Sequence, residues 1–505
     1  MEILVQCLQI FFSVANVFST LIGMIIGIII GAIPGLGPTL VIALATPMIV
    51  NMEPVAGLLL LIGIYVGGIY GGSISAILIN TPGTPAAAAT VLDGYQMSKQ
   101  GRPMKALQLA LWASIFGHFF GSTMLFIAAE PLARFSLKFG PPEQFAMVLF
   151  ALTIISVIAG KNLKKGLISA VFGLLFSVIG TDPINGSRRL WFGIMPLSDG
   201  IDLFALLIGL FAFSEVFRQI SVLIDKKGEK TKDDETKIKH VIDPDDHADL
   251  LKFIKHWKLL IKSSAIGTFI GALPGIGSGT SAFVAYGWAQ KDSKNPEKFG
   301  HGSEEGIIAS ESSNNACCGG ALIPLLALGI PGDTVTAVLL GSMVMFGLSP
   351  GPLLFMKNAN DVRVLYIGIF VCGIFLILLG RWILKFSSFI TYINPEILWP
   401  IIAVVCAVGV YASKSSTFDI YIMFLFGLLG YVMDKHKFPM GPLLIAFILG
   451  PLLEKSLRQT LLMTGNNLAP LLSRPIFLFF IIITIISIVG PPILRSTKRL
   501  KERGN

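Results

Sequence analysis

A chain of 505 residues in which 53% are hydrophobic and only 14% charged cannot present an ordinary water-facing surface, since soluble domains carry about 25% charged residues. Its net charge of +9 sits in short basic clusters around residues 161–165, 188–189, 226–262 and 495–503, the pattern of cytoplasmic membrane flanks. A soluble globular domain and a nucleic-acid partner are both excluded as expectations.

Apolar runs recur at 8–33, 54–79, 106–129, 144–159, 201–224, 364–380, 397–411, 420–432 and 476–489. A helix needs about 20 apolar residues to cross the hydrocarbon core. Barrel strands would alternate apolar and polar residues, and stretches such as 477–489 do not, so the spans are expected to be helices. The fold class expected is an all-α polytopic membrane protein with roughly 10–12 transmembrane helices, inverted repeats and broken or re-entrant helices. The first run lacks a basic leading region and is longer than a signal-peptide core, so it reads as a retained helix. The five cysteines Cys7, Cys317, Cys318, Cys372 and Cys406 lie in apolar surroundings without metal-ligand spacing and read as packing residues.

Residues 225–256 mix both charge signs and hold almost no apolar clusters, which marks a polar loop on the cytoplasmic side. It divides the chain into a first membrane repeat, 1–224, and a second, 257–474. A final helix and basic cytoplasmic tail follow at 475–505.

The two repeats begin alike. IGIIIGAIPGLG at 26–37 matches IGTFIGALPGIG at 266–277, with eight of twelve positions identical and a spacing of 240 between Gly31 and Gly271. Further on, Gly71-Gly72 and Thr81-Pro82-Gly83 match Gly319-Gly320 and Ile330-Pro331-Gly332, with a spacing of 249 between Pro82 and Pro331. Two matches in the same order argue for internal duplication; chance likeness between glycine-rich helices is the competing reading. With an outward N-terminus and an inward polar loop, the second copy enters from the opposite side, an inverted repeat.

Each repeat carries two helix breaks, at 34–37 and 80–85, and at 274–280 and 329–334. Proline removes a helical hydrogen bond and glycine admits backbone angles that other residues avoid. At membrane depth such backbone is tolerated only beside protein or a water-filled cavity. Exposed helix N-termini suit carboxylates, and Ser, Thr and Asn oxygens suit a small cation. The substrate-binding candidates are therefore Gly35, Gly37, Asn80, Thr81, Pro82, Gly83, Thr84, Gly275, Gly277, Ser278, Gly279, Thr280, Asn314, Pro331, Gly332 and Thr334. Kinks that only shape packing are the competing reading. Carboxylates entering an apolar helix usually mark an ion or substrate route, which makes Glu311, Asn315 and Asp333 the cation-coupling candidates. Glu304 and Glu305 read as capping residues. Asp333 is expected either to cap a helix or to bind the coupling cation.

No P-loop and no HExxH sequence occurs. Gly347–Gly351 fits the GxSxG pattern, but Pro350 lacks the N–H that a nucleophile elbow needs, so it reads as a turn. His118 alone falls in an apolar helix, and a packed neutral ring competes there with a proton relay. Catalytic residues and cofactors are expected to be absent, apart from sodium or protons as coupling ions.

Gly31–Gly37, Tyr70–Ser73, Asn80–Pro85 and Asp93–Tyr95 in the first half, with Gly271–Gly275, 304–320 and Gly329–Asp333 in the second, resemble the large permease subunit of the tripartite tricarboxylate transporters, the TctA family. The resemblance implies a cation-coupled importer of di- and tricarboxylates or related organic anions in the cell inner membrane. It also implies two protein partners, an extracytoplasmic solute-binding protein and a small membrane subunit. A membrane-embedded enzyme or channel using the intramembrane carboxylates is the alternative; duplicated broken helices favour the transporter.

Overall fold

The computed structural model describes residues 2–158, 163–182, 184–228, 246–386, 395–465, 467 and 469–487. Among these the chain is helical almost throughout. The helices are α1 (Glu2–Phe11), α2 (Val14–Gly31), α3 (Pro38–Met48), α4 (Pro54–Ile79), α5 (Val91–Lys99), α6 (Pro103–Ser136), α7 (Pro141–Ile158), α8 (Leu163–Ser177), α9 (Leu203–Leu207) and α10 (Ser214–Gly228). After the polar segment come α11 (Leu250–Lys255), α12 (Trp257–Ala272), α13 (Gly277–Asp292), α14 (Glu304–Leu328), α15 (Thr334–Met345) and α16 (Pro352–Lys357). The rest are α17 (Ala359–Phe386), α18 (Pro395–Lys414), α19 (Thr417–Lys435), α20 (Met440–Thr464) and α21 (Pro475–Ser487). The β-structure in the described residues is a two-residue hairpin pairing Gly180 with Arg189 and Thr181 with Arg188.

Seven described helices are long and apolar enough to cross a membrane, and four shorter apolar helices accompany them: Pro38–Met48, Thr334–Met345, Trp399–Ala412 and Pro475–Ser487. Helix α4 is the most deeply set, with 94% of its apolar window buried inside the protein. Its 26 residues span about 39 Å at 1.5 Å per residue, more than the hydrocarbon thickness. The all-α polytopic expectation holds.

Some boundaries differ from the expected ones. The run 8–33 is two helices, because Ser13 caps α2 through the Asn16 N–H and stops α1. The run 201–224 contains a π-turn at Ile208–Phe213 between α9 and α10. At both ends of the expected loop 225–256 the described residues are partly helical: α10 continues to Gly228, and Asp249 caps α11 through the N–H groups of Leu251 and Lys252. Residues 229–245 and 488–505, the heart of that loop and the basic tail, lie outside the described residues.

The chain folds as two compact units. One contains Met1–Pro131 and Phe204–Tyr431. Its tightest pairings are α2 with α4 and α12 with α14. The other contains Leu132–Leu203 and Val432–Asn505, where α20 packs on α7 and α8. In this second unit the hairpin is tied down by Asp182, which accepts from Arg458 at 2.9 Å and from the backbone N–H groups of Ile184 and Asn185 at 2.8 and 3.2 Å. Arg189 reaches Glu454 at 2.7 Å, and Arg474 binds Glu143 at 2.9 Å.

Both cores of the first unit depend on glycine at the contact. Gly27 lies against the backbone of Ile64, Gly31 against Gly68, and Gly71 against Ile28. In the other pair Gly267 lies against Ser313, Gly271 against Cys317, and Gly320 against Thr268. Each contact of the first set maps onto one of the second by the spacings of 240 and 249 read from the sequence. The likeness of the two halves therefore extends from the motifs to their packing.

Candidate functional site

The four breaks arise from local chemistry. Helix α4 ends at Asn80, which takes the left-handed conformation (φ 59°), and α14 ends at Gly329 (φ 70°). These are equivalent positions, filled by the two residue types that tolerate that region most readily. Helix α3 starts at Pro38 after Gly37, and α13 starts at Gly277 after Ile276, both without a side-chain cap. Helix α15 is different. Asp333 caps it, its Oδ1 accepting from the Thr336 N–H at 2.7 Å, and Thr336 returns the bond to the Asp333 N–H at 2.9 Å.

The breaks enclose a cavity of about 230 Å³ within the first unit. Its wall is made by Gly37, Pro38 and Thr39 at the start of α3, and by Thr84, Pro85 and Ala86 after α4. The second half contributes Gly275 through Thr280 at the start of α13 and Asp333, Thr334 and Val335 at the start of α15. Of the candidates, Gly37, Thr84, Gly275, Gly277, Ser278, Gly279, Thr280, Thr334 and Asp333 thus meet in one place. No Lys, Arg or His stands among these lining residues; Asp333 is the ionisable group. Thr84 is 2% exposed and its Oγ1 has no hydrogen-bond partner.

The other candidates lie away from the cavity. Gly35 faces Glu215, Arg218 and Gln219. Asn80 and Thr81 are exposed and Pro82 half-buried. Gly83 and Gly332 are packing positions: Gly83 meets Gly31 and Gly72, and Gly332 meets Gly271 and Ala321. Pro331 is buried beside Gly332. Asn314 donates to the carbonyl of Ala86 at 3.3 Å, from behind the cavity wall.

Glu311 forms a second centre. It is 0% exposed on α14. Its Oε1 accepts from Ser73 at 2.6 Å and from Thr90, and its Oε2 accepts from Ser114 at 3.0 Å. Asn315 donates to the Ser114 hydroxyl at 2.9 Å and to Asn314 Oδ1 at 2.7 Å. The site candidates read from the sequence do not include Ser73, Thr90 and Ser114, nor Tyr65, whose hydroxyl donates to Asp333 Oδ2 at 2.7 Å. Serines in Gly-rich helices carry no local signal of what they face. Glu304, by contrast, pairs with Lys105 at 2.7 Å near the helix start, which Ser303 caps. The His118 Nε2 atom lies 2.8 Å from the Ile369 carbonyl.

Contacts between the halves are reciprocal. Thr39 and Thr334 approach to 3.5 Å. Their equivalents, Gly279 and Pro85, also abut, since a Cβ on Gly279 would stand 2.9 Å from the Pro85 carbonyl. Thr46 meets Ser342 at 2.8 Å, and their equivalents Tyr286 and Asp93 stand against each other. Helices α4 and α14, themselves equivalent, run antiparallel: Tyr65 stands beside Cys318, whereas Ser73, two turns later, meets Glu311, two turns earlier on α14.

The chain is 34% identical over 467 residues, 91% of its length and 90% of the relative's, to a protein of Agrobacterium vitis described as an uncharacterized 52.8 kDa protein in the TAR-I ttuC' 3'region. It is also 34% identical over 215 residues to an uncharacterized protein in the TAR-II ttuC' 3'region of Agrobacterium vitis, covering 42% of this chain and 87% of that one. No solved structure matches. The family model described as the tripartite tricarboxylate transporter TctA family matches residues 17–445, and the chain belongs to that family.

Proposed function

We propose that this protein is the substrate-translocating permease of a binding-protein-dependent secondary transporter, importing di- or tricarboxylates or related organic anions by cation symport. The observation that carries this reading is the cavity where the uncapped N-termini of α3 and α13 converge with Thr84 and Asp333. Each such terminus carries roughly half a positive charge, which suits a carboxylate, and α13 adds unpaired N–H groups that α3, beginning at Pro38, largely lacks. With Asp333 the ionisable group of the wall, an anion carrying two or three charges needs cations to accompany it.

The reading includes two inverted repeats, 1–224 and 257–474, in the cytoplasmic membrane, with the polar loop 225–256 and the tail of 475–505 on the cytoplasmic side. Reciprocal contacts between the halves support it, as does the antiparallel packing of the equivalent helices α4 and α14. A two-fold axis relating antiparallel membrane helices lies in the membrane plane. The partners would be an extracytoplasmic solute-binding protein, which delivers the anion, and a small membrane subunit.

Uptake of radiolabelled citrate and other di- and tricarboxylates into proteoliposomes holding the complete assembly tests the proposal. Accumulation that requires this subunit and a cation gradient is expected. Retention of substrate transport when the cavity wall is filled by Gly279→Leu and Thr84→Phe would overturn it.

A further inference from the structure

We propose that Glu311, with the hydroxyls of Ser73, Thr90 and Ser114, forms the site of one monovalent cation, a proton or a sodium ion, apart from the substrate cavity. The inference rests on the transport reading above and assigns the coupling charge to one of the two candidate acids, Glu311 and Asp333.

Asp333 is already committed. One of its oxygens caps α15 and the other takes the Tyr65 hydroxyl, so its charge serves the start of a helix. Glu311 has no such duty: it lies mid-helix, caps nothing, and is fully buried. Its partners are hydroxyls and an amide, and among the described residues no lysine, arginine or histidine pairs with it. Hydroxyl dipoles stabilise a carboxylate without cancelling its charge, and an isolated charge in an apolar interior is among the costliest groups to bury. A bound cation removes that cost. The donors present are all oxygens around one carboxylate, which fits a proton or a hard alkali ion.

Two further buried atoms point the same way. Tyr70 is 1% exposed and its hydroxyl, close enough to feel the Glu311 charge, has no hydrogen-bond partner. Asn315 is 0% exposed and its Oδ1 is likewise unpartnered. Of the other ionisable groups on the surrounding elements, Asp93 accepts through Oδ1 from the N–H groups of Gly300, Gly302 and Ser303 while its Oδ2 has no hydrogen-bond partner, and His118 lies against the Ile369 carbonyl.

The position also explains coupling. Ser73 and Thr90 belong to the first half, Glu311 to the second. Asn315 joins the Ser114 hydroxyl to Asn314, and Asn314 holds the carbonyl of Ala86, a residue of the cavity wall. A cation arriving at Glu311 changes what the hydroxyls must face, and that change passes through three side chains to the substrate site.

The test uses the complete transporter in proteoliposomes, with citrate as probe, under a sodium gradient at fixed pH or a pH gradient without sodium. Substrate counterflow at equal ion concentrations is measured alongside. Glu311→Gln is expected to reduce gradient-driven accumulation at least tenfold while counterflow stays within about threefold of wild type. Ser73→Ala and Ser114→Ala are expected to shift the half-saturating cation concentration several-fold, and the gradient whose effect they alter identifies the ion. If Glu311→Gln does not fold, those two variants decide. Unchanged cation dependence in both, or a folded Glu311→Gln that accumulates normally, overturns the site. So does loss of counterflow along with accumulation, since Glu311 would then serve the substrate cavity. Failure of the wild-type assembly to transport any carboxylate strikes the transport reading instead.

Discussion

The hydroxyl of Tyr65 donates to Oδ2 of Asp333 at 2.7 Å across 268 residues of sequence, joining the centre of α4 to the cap of α15. The bond sets Asp333, which also caps α15, at the edge of the cavity. Asp333→Asn keeps an oxygen for the Thr336 N–H and is expected to retain transport within a few-fold. Asp333→Ala removes the cap and strands Tyr65, which should lower stability by about 1–2 kcal/mol. Thermal unfolding in detergent and uptake on the same preparations check both.

Thr84 offers a cleaner probe of the cavity. Its hydroxyl bonds to nothing in the protein, so Thr84→Val, nearly the same shape, should leave the melting temperature unchanged. The KM for substrate is expected to rise several-fold. A fall in stability with unchanged KM would remove Thr84 from the binding surface.

The repeated packing makes a paired prediction. A Cβ on Gly71 would run into the backbone of Ile28, and one on Gly320 into that of Thr268. Alanine at either position should destabilise by about 1–3 kcal/mol through overpacking. Because the sites are equivalent, the two losses should be alike, as read from unfolding in detergent; a large effect at one and none at the other would deny the equivalence.

Inversion of the repeats is testable by labelling. Asn51 and Lys291 are exposed, equivalent positions just beyond α3 and at the end of α13. The native cysteines are all buried, so background reaction is low. Single cysteines at 51 and 291 should react with an impermeant maleimide from opposite faces of the membrane. Labelling of both from one face contradicts the inverted arrangement.

In the second unit, the N–H of Ile184, then that of Asn185 and the Arg458 guanidinium hold the Asp182 carboxyl below its ordinary value. A depressed carboxylate contributes stability above its unfolded value, near 3.8, and loses it as pH falls through the lower folded value. The wild type should therefore lose stability below about pH 4. In Asp182→Asn that part of the pH dependence should be absent, as measured by unfolding between pH 3 and 7.

Much of the architecture was legible because it is written locally. The spans follow from apolar length, the four breaks from Pro-Gly pairs in apolar surroundings, and the duplication from a near-constant spacing of motifs. Element ends were less legible. The Ser13 cap that divides the first apolar run and the π-turn at Ile208–Phe213 depend on one side chain or one extra residue per turn, which hydropathy does not register.

The candidate acids were read from the sequence as a pair, because a carboxylate in an apolar helix is conspicuous wherever it stands. Only tertiary structure separates them: it gives Asp333 a cap and a tyrosine, and it gives Glu311 three hydroxyls, one of them 238 residues away. The sequence determined that this is a broken-helix membrane protein with matching motifs in its two halves, since length, apolarity and helix-breaking residues act within a few turns. Which side chains share a site was decided by the antiparallel placement of α4 beside α14, whose register brings Tyr65 to Cys318 and Ser73 to Glu311. That register is a property of two distant segments together, and no stretch of either one contains it.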